Sequence, residues 1–305
     1  MNETPSGPAP KLSLSGESVH QRRRRIAGVV ALSCSALVVW GVSSLGGSDE
    51  AVTASPSFTA RLIKAGGTDQ GSLMANRLLD EQRAVAKTLA STPYIVKGGG
   101  QARDVALTFD DGPSEFTPQI VSILRRAGVA ATFFTVGGMY STYGTDARAA
   151  FQDGYAVENH SFTHSAMATL SLGDQATEID RTASLMKEAG LPPSQLFRPP
   201  YGSFDANTKK VAGKRKMLIV LWDVDTLDWE MPGADAIVSN ALSNVRPGSI
   251  ILLHDGGGER SQTVAALPRI IAGLRAKRLQ PVTVPRLLAD DPPRPGDTPP
   301  ALGQA

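Results

Sequence analysis

The chain is expected to fold as an α/β protein, a distorted (β/α) barrel of about seven parallel strands preceded by a single transmembrane helix. Three observations carry that expectation. Between about Arg103 and Leu288, short apolar runs alternate with segments of helical period, the pattern of parallel strands joined by helices. Five short marks each lie within about three residues of the carboxyl end of a different expected strand: Thr108-Phe109-Asp110-Asp111-Gly112, His160-Ser161-Phe162-Thr163-His164, Arg198-Pro199-Pro200-Tyr201, Asp225-Thr226-Leu227-Asp228-Trp229 and Leu252-Leu253-His254. A barrel gathers all such ends on one face, whereas an open doubly wound sheet gathers only those beside its switch point. Finally, Ile26 to Leu45 is a charge-free run of 20 residues. As a helix it would reach about 30 Å, the thickness of a hydrocarbon core.

Residues 1–25 form the expected cytoplasmic tail, ending in Arg22-Arg23-Arg24-Arg25, and Asp49 and Glu50 lie beyond the other end of the span. That charge asymmetry orients the rest of the chain to the extracytoplasmic side of a cell membrane, single-pass at 26–45. A cleaved signal peptide, with Val42, Ser43 and Ser44 as the cleavage region, or a lipoprotein signal processed at Cys34 would give the same compartment. The apolar run continues past Cys34 through Trp40, and Ala31 stands where a lipoprotein signal usually has leucine, so the retained anchor is preferred.

Residues 46–102 read as a linker and accessory helix. Gly, Ser, Thr and Ala dominate up to residue 71; Ser72 to Ala90 then carries Met74, Leu78, Val85 and Leu89 on one helical stripe. Pro93 ends that helix, Tyr94-Ile95-Val96 reads as a short strand, and Gly98-Gly99-Gly100 as a turn. The main domain is expected over 103–289. Its strands are Val105 to Phe109, Val129 to Val136, Tyr155 to Glu158, Leu196-Phe197, Met217 to Trp222, Ile250 to Leu253 and Val282 to Val284. Between them, Thr117 as cap, Pro118 at the first helical position and Gly128 past the end bracket one helix. Others are expected near Asp146 to Gln152, after the cap Ser171 up to Gly190, and around Ala206 to Ala212, Asp235 to Asn244 and Thr263 to Ala276. Residues 290–305 are Pro-rich and expected to be a disordered tail.

Composition narrows the chemistry. With 305 residues, 41% of them apolar, the chain can bury a sizeable core. Its net charge of +2 lacks the basic stripe that phosphate neutralisation needs, so nucleic acid is not an expected partner. One cysteine excludes an intramolecular disulfide framework and a thiolate zinc cluster. A monomer is expected.

Of four histidines, His160, His164 and His254 fall inside the marks. His160 and His164 are four apart, so on one helical turn they would share a face and grip one ion, with Asp111 adding an oxygen and leaving a position for water. No Glu follows the first histidine, so the His-Glu-x-x-His pattern is not met and the base must come from elsewhere. Asp110 is the candidate: beside the turn at Gly112, adjacent carboxylates can diverge, one to metal and one to water.

In these five motifs, taken in order over about Val105 to Leu288, the chain resembles the polysaccharide deacetylases with a NodB homology domain, carbohydrate esterase family 4. The resemblance implies a distorted barrel that removes acetyl groups from carbohydrate with a divalent metal, Zn2+ as a rule, Co2+ or Ni2+ in some cases. It implies Asp111, His160 and His164 as metal ligands, Asp110 as catalytic base and His254 as catalytic acid. Arg198 would be held against the base and Asp228 against the acid, pairings that suit a proton acceptor and a proton donor. It also implies the backbone N–H of Tyr201 as an oxyanion donor, and Trp229 and Leu252 as flanks of the site for the acetyl methyl. Ser165 departs from the family's frequent proline, and Gly137-Gly138-Met139-Tyr140 replaces other loop residues.

The expected activity is therefore N-deacetylation of extracytoplasmic polysaccharide, with peptidoglycan favoured because a membrane tether holds the site near the wall. Chitooligosaccharide, poly-N-acetylglucosamine and an acetylxylan ester stay open as substrates. A non-catalytic wall-binding module is the alternative of a different class, disfavoured because base, metal ligands and acid are all present.

Overall fold

The computed structural model describes residues 69–294. The expected cytoplasmic tail, the candidate span at 26–45, most of the expected linker and residues 295–305 of the expected terminal tail lie outside the described residues. Among the described residues, no helix is long and apolar enough to cross a membrane.

The strands are β1 (Tyr94–Ile95), β2 (Asp104–Asp110), β3 (Thr132–Thr135), β4 (Ala156–Asn159), β5 (Leu196–Phe197), β6 (Leu218–Val220), β7 (Val224–Asp225), β8 (Ile250–His254) and β9 (Gln280–Val282). The helices are α1 (Asp69–Ser91), α2 (Thr117–Ala127), α3 (Tyr140–Gln152), α4 (Leu172–Glu188), α5 (Ala206–Lys214), α6 (Ala234–Ser243), α7 (Ser261–Ala276) and α8 (Val284–Asp290). Every strand pairing is parallel, in the order β1-β6-β5-β4-β3-β2-β8-β7, with β9 beside the first half of β2. Leu221, Trp222 and Asp223 alone carry the chain from β6, near one end of that order, to β7 at the other. The run β2 to β8 thus curls into a distorted barrel, with Ile95 of β1 packing among its inner residues and Lys97 just after β1 bridging to Ser249 just before β8.

Alternation along each strand builds the core. Val105, Leu107 and Phe109 of β2, Phe133 of β3, Val157 of β4 and Ile251 and Leu253 of β8 face outward and pack with Ile120 and Leu124 of α2, Ala147 of α3, Ile237 of α6 and Leu267 and Ile270 of α7. Phe197 and Ile219 pack likewise against Ile179 of α4 and Val211 of α5. The alternate residues, Ala106, Phe134, Leu196, Leu218, Val220 and Ile250, meet inside with Val284, Leu287 and Leu288 of α8 and Val85 of α1. Parallel strands buried on both faces read as continuous apolar runs, which is why their positions are visible in the sequence.

Some expectations are corrected. Phe116, not Thr117, is the cap of α2: Thr117 is the first helical residue, and its hydroxyl accepts from the Ser114 amide at 2.8 Å and donates to Asp255 at 2.5 Å. Gly128 does end α2, at φ 62°. Val284 begins α8 rather than ending a strand, because the Thr283 side chain caps the Arg286 amide at 3.2 Å and Pro285 fits the first turn. Residues flanking 103–289 also pack onto the sheet. β1 pairs with β6, and Asp291 is buried, its carboxylate accepting from the amides of Gln101 and Ala102.

Candidate active site

β2 ends at Asp110, and the next residue turns the chain through a left-handed conformation, Asp111 at φ 70°. The two carboxylates therefore point different ways, as expected. The tight turn is possible only because Gly112 has no side chain: a Cβ there would lie 2.2 Å from the Asp255 carboxylate. Gly256 is constrained in the same way, since its Cβ would lie 2.2 Å from the Asp111 carbonyl.

His160 follows β4, and the segment to His164 is a loop, not the helical turn expected from the spacing. Ser161 and His164 have φ of 68° and 60°, which no right-handed helix accommodates. The Ser161 amide donates to Asn159 Oδ1 at 2.9 Å and the His164 amide to Ser161 Oγ at 3.1 Å. This fold of the loop still brings the imidazoles together, with ring centroids 5.1 Å apart.

His160 Nδ1 lies 2.7 Å from the Arg198 carbonyl oxygen, which can only accept, so Nδ1 carries the proton and Nε2 presents a lone pair. That Nε2 is 3.4 Å from Asp111 Oδ1, and His164 Nε2 is 2.9 Å from the same oxygen. Asp111 Oδ1 is buried without a hydrogen-bond partner. The three donor atoms lie within 4.8 Å of one another, and among the described residues this is the one group of three metal-ligating side chains so placed. One carboxylate oxygen and two imidazole nitrogens fit a divalent ion of the zinc type. Burial opposes ionisation of Asp111, and only a proton on the imidazole Nε2 atoms, or a cation in their place, would hold its carboxyl below the usual range.

Asp110 is 3% exposed and receives Arg198 Nη1 at 2.7 Å. Arg198 is fully buried, and its other donors reach Thr108 Oγ1 at 2.8 Å and the carbonyls of Val220 and Leu221 at 3.1 Å. Its guanidinium stands 4.2 Å over the Phe134 ring. A charge so deep is tolerated because it is paired and hydrogen-bonded.

In the β2–β8 register, His254 is the direct partner of Asp110. Its Nδ1 is 2.7 Å from Asp228 Oδ1, and Asp228 Oδ2 accepts from the His254 amide at 2.8 Å and Thr263 Oγ1 at 2.7 Å. Burial disfavours the imidazolium, but Asp228, with Asp110 and Asp111 behind it, raises the His254 pKa above its ordinary value. Asp228 itself is pulled below the carboxylate range despite burial, chiefly by His254.

Asp110, Asp111, His160, His164 and His254 line one cleft of about 900 Å³ together with Tyr201, Trp229 and Leu252, while the buried Arg198 and Asp228 reach it through their bonds to Asp110 and His254. Tyr201 is 72% exposed at φ 59°, its hydroxyl 3.2 Å from His164 Nδ1; Trp229 is 49% exposed and Leu252 buried. All ten residues singled out in the sequence thus meet at one place.

Sequence reasoning passed over Asp255, which is fully buried beneath Gly112 with Oδ1 unpaired; burial, with Asp111 and Asp110 nearby, pushes its carboxyl up to about 7. Its place directly after His254 and before Gly256-Gly257-Gly258 was the available signal. Met139 and Trp222, which also line the cleft, had none.

Strand ends that bring two imidazoles and a carboxylate together, with a carboxylate acceptor and an imidazole donor beside them, define a metal-assisted hydrolase. Residues 97–220 match the family model described as Polysaccharide deacetylase. A peptidoglycan-N-acetylglucosamine deacetylase of Bacillus cereus is 37% identical over 197 residues, 64% of this chain and 71% of the relative. A chitooligosaccharide deacetylase of Sinorhizobium fredii is 37% identical over 195 residues, 59% of this chain and 89% of the relative. The crystal structure of a peptidoglycan N-acetylglucosamine deacetylase in complex with 4-naphthalen-1-yl-N-oxidanyl-benzamide superposes with a TM-score of 0.64 at 34% identity, covering 68% of this chain and 97% of that one. The chain belongs to the polysaccharide deacetylase family.

Proposed function

We propose that this deacetylase removes N-acetyl groups from the amino sugars of cell-wall peptidoglycan. Asp111 Oδ1 and the Nε2 atoms of His160 and His164 would hold a zinc ion, with Co2+ or Ni2+ able to replace it. The observation that carries the reading is the pairing of an acceptor, Asp110, with a donor, His254, on adjacent strands beside that cluster. When bound, the ion lowers the pKa of a water molecule and polarises the acetyl carbonyl.

Asp110 accepts the proton lost as water attacks the carbonyl carbon, and Arg198 balances the charge of that carboxylate beforehand. The backbone N–H of Tyr201 donates to the oxyanion of the tetrahedral intermediate. His254, kept cationic by Asp228, protonates the departing nitrogen as the carbon–nitrogen bond breaks, giving acetate and a free amine. Trp229 and Leu252 flank the acetyl methyl, which gains by leaving water.

Similarity to peptidoglycan and chitooligosaccharide deacetylases, together with the expected location, supports this substrate. A span at 26–45 would hold the domain, as a monomer, outside the cytoplasm against the wall. Acetate release from peptidoglycan, chitin oligomers and acetylxylan by metal-stripped protein resupplied with zinc tests the reading. Zinc-restored release, fastest from peptidoglycan, is expected; preference for chitin oligomers or xylan ester would move the substrate, and glycan binding without release would make the chain a wall-binding module.

A further inference from the structure

Two of the three ligands sit on a loop whose shape no helix imposes, and one carboxylate grips that loop from outside. Glu178, in the middle of α4, accepts through Oε2 from the Phe162 amide at 2.8 Å and the Thr163 amide at 2.7 Å. Its Oε1 accepts from Thr163 Oγ1 at 2.8 Å, and that hydroxyl lies 2.8 Å from Ser165 Oγ. On the loop's other side, the carbonyls of Ser161 and Phe162 accept from the amides of Gly137 and Gly138 at 2.9 and 3.0 Å. The clamp has no slack: a Cβ at Gly137 would lie 2.4 Å from Thr182 Oγ1 on α4 and 2.9 Å from the Phe162 ring. Left-handed residues other than glycine, such as Ser161 and His164, persist only where the surroundings hold them.

Glu178 does not line the cleft and meets none of the candidate ligand atoms. The two amides it receives belong to residues lying between the two ligand histidines. We propose that Glu178 is a positioning residue for the metal site. Its carboxylate locks the 161–164 loop in the shape that aims both imidazole Nε2 atoms at the place Asp111 Oδ1 already faces. The inference rests on the assignment of Asp111, His160 and His164 as the metal ligands.

The test uses the full chain, stripped of metal, as wild type, Glu178→Ala and Glu178→Gln. Zinc affinity by competition titration and the visible spectrum of the Co2+ form are the readouts, with KM at saturating zinc as a further one. Partners that orient metal ligands are worth about 10–100-fold in affinity, so Glu178→Ala should weaken zinc by that factor and alter the cobalt spectrum while leaving KM unchanged. Glu178→Gln keeps an oxygen for both amides and should stay within about threefold of wild type, a rescue that a general loss of stability would not show. In metal-free wild type, the amides of Phe162 and Thr163 should exchange slowly with solvent; this measurement decides if the alanine variant does not fold. Zinc affinity and cobalt spectrum unchanged in Glu178→Ala, or unprotected amides at Phe162 and Thr163, would overturn the role. Wild type that takes up no zinc would refute the ligand assignment itself.

Discussion

The imidazole of His160 donates its Nδ1 proton to the backbone carbonyl of Arg198, at 2.7 Å, while the side chain of the same Arg198 donates to Asp110 at an equal distance. One residue at the end of β5 thus sets the tautomer of a metal ligand with its main chain and the charge balance of the proton acceptor with its side chain. The two functions can be separated by substitution, because only the second depends on the guanidinium.

Arg198→Met should therefore keep the zinc site and lose the acceptor's partner. Leaving the buried Asp110 uncompensated is expected to cost about 3–5 kcal/mol of stability. Denaturant titration with metal analysis of the folded fraction checks this; loss of zinc in protein that remains folded would contradict the division of labour.

Asp110→Asn and His164→Ala should differ in kind. The first preserves the three ligands and should retain zinc while turnover falls by about 10²–10⁴, the usual contribution of a positioned base. The second removes a ligand and should lose zinc and activity together. Measurable turnover near wild type in Asp110→Asn would remove that residue from its role.

The pH profile follows from His254. Its raised pKa means that the protonated, donating form persists above the ordinary histidine range. Activity on the amide should fall as pH rises through that raised value, since deprotonation removes the donor. In Asp228→Asn the stabilising carboxylate is gone, so the falling limb should move to lower pH; kcat/KM measured against pH for both proteins would show an unmoved limb if His254 were not the acid.

Gly112→Ala places a Cβ 2.2 Å from the Asp255 carboxylate, so it should destabilise the domain by about 1–3 kcal/mol, as overpacking does. Adding Asp255→Ala vacates the occupied space and should recover part of the loss. Thermal unfolding of the single and double variants measures the recovery, and strictly additive effects would refute the steric account.

Zinc removal should lower the unfolding temperature. A ligand bound only by the folded state at about 100 times its dissociation constant adds about 2.7 kcal/mol. Scanning calorimetry with and without a chelator reads the change, which should vanish in His164→Ala.

Much of this is legible in the sequence. Strand positions are visible because both faces of these strands are buried, making Val105 to Phe109 apolar but for Thr108 and Ile250 to Leu253 a continuous apolar run. Asp110, Asp111, His160, His164 and His254 are visible as ionisable groups just past such runs, whereas the roles of Arg198, Tyr201, Asp228, Trp229 and Leu252 come from the family resemblance. The shape of the His160–His164 loop is not visible, since a spacing of four also fits a helical turn, and the contacts that choose the loop come from Glu178 and Gly137, distant in the chain. β7 escaped notice because two residues carry no period. Val282-Thr283-Val284 has the β-branched composition of a strand, yet the Thr283 cap and Pro285 turn it into the start of α8. Asp255 and Thr117 look like a loop acid and a helix cap; their partnership spans 138 positions.

Because Asp110 and His254 are register partners on neighbouring strands, the backbone positions that carry the proton acceptor and the proton donor are one repeat of the sheet apart, about 4.8 Å between strand axes. No rearrangement of surface loops can widen or narrow it. Members of such a scaffold can diverge in what they grasp by rebuilding the rim around Tyr201 and Trp229, while the backbone spacing beneath acceptor and donor stays the same. Inserting a single residue within β8 would be the drastic change: the pleat would turn His254 toward the helices and put Leu253 in its place.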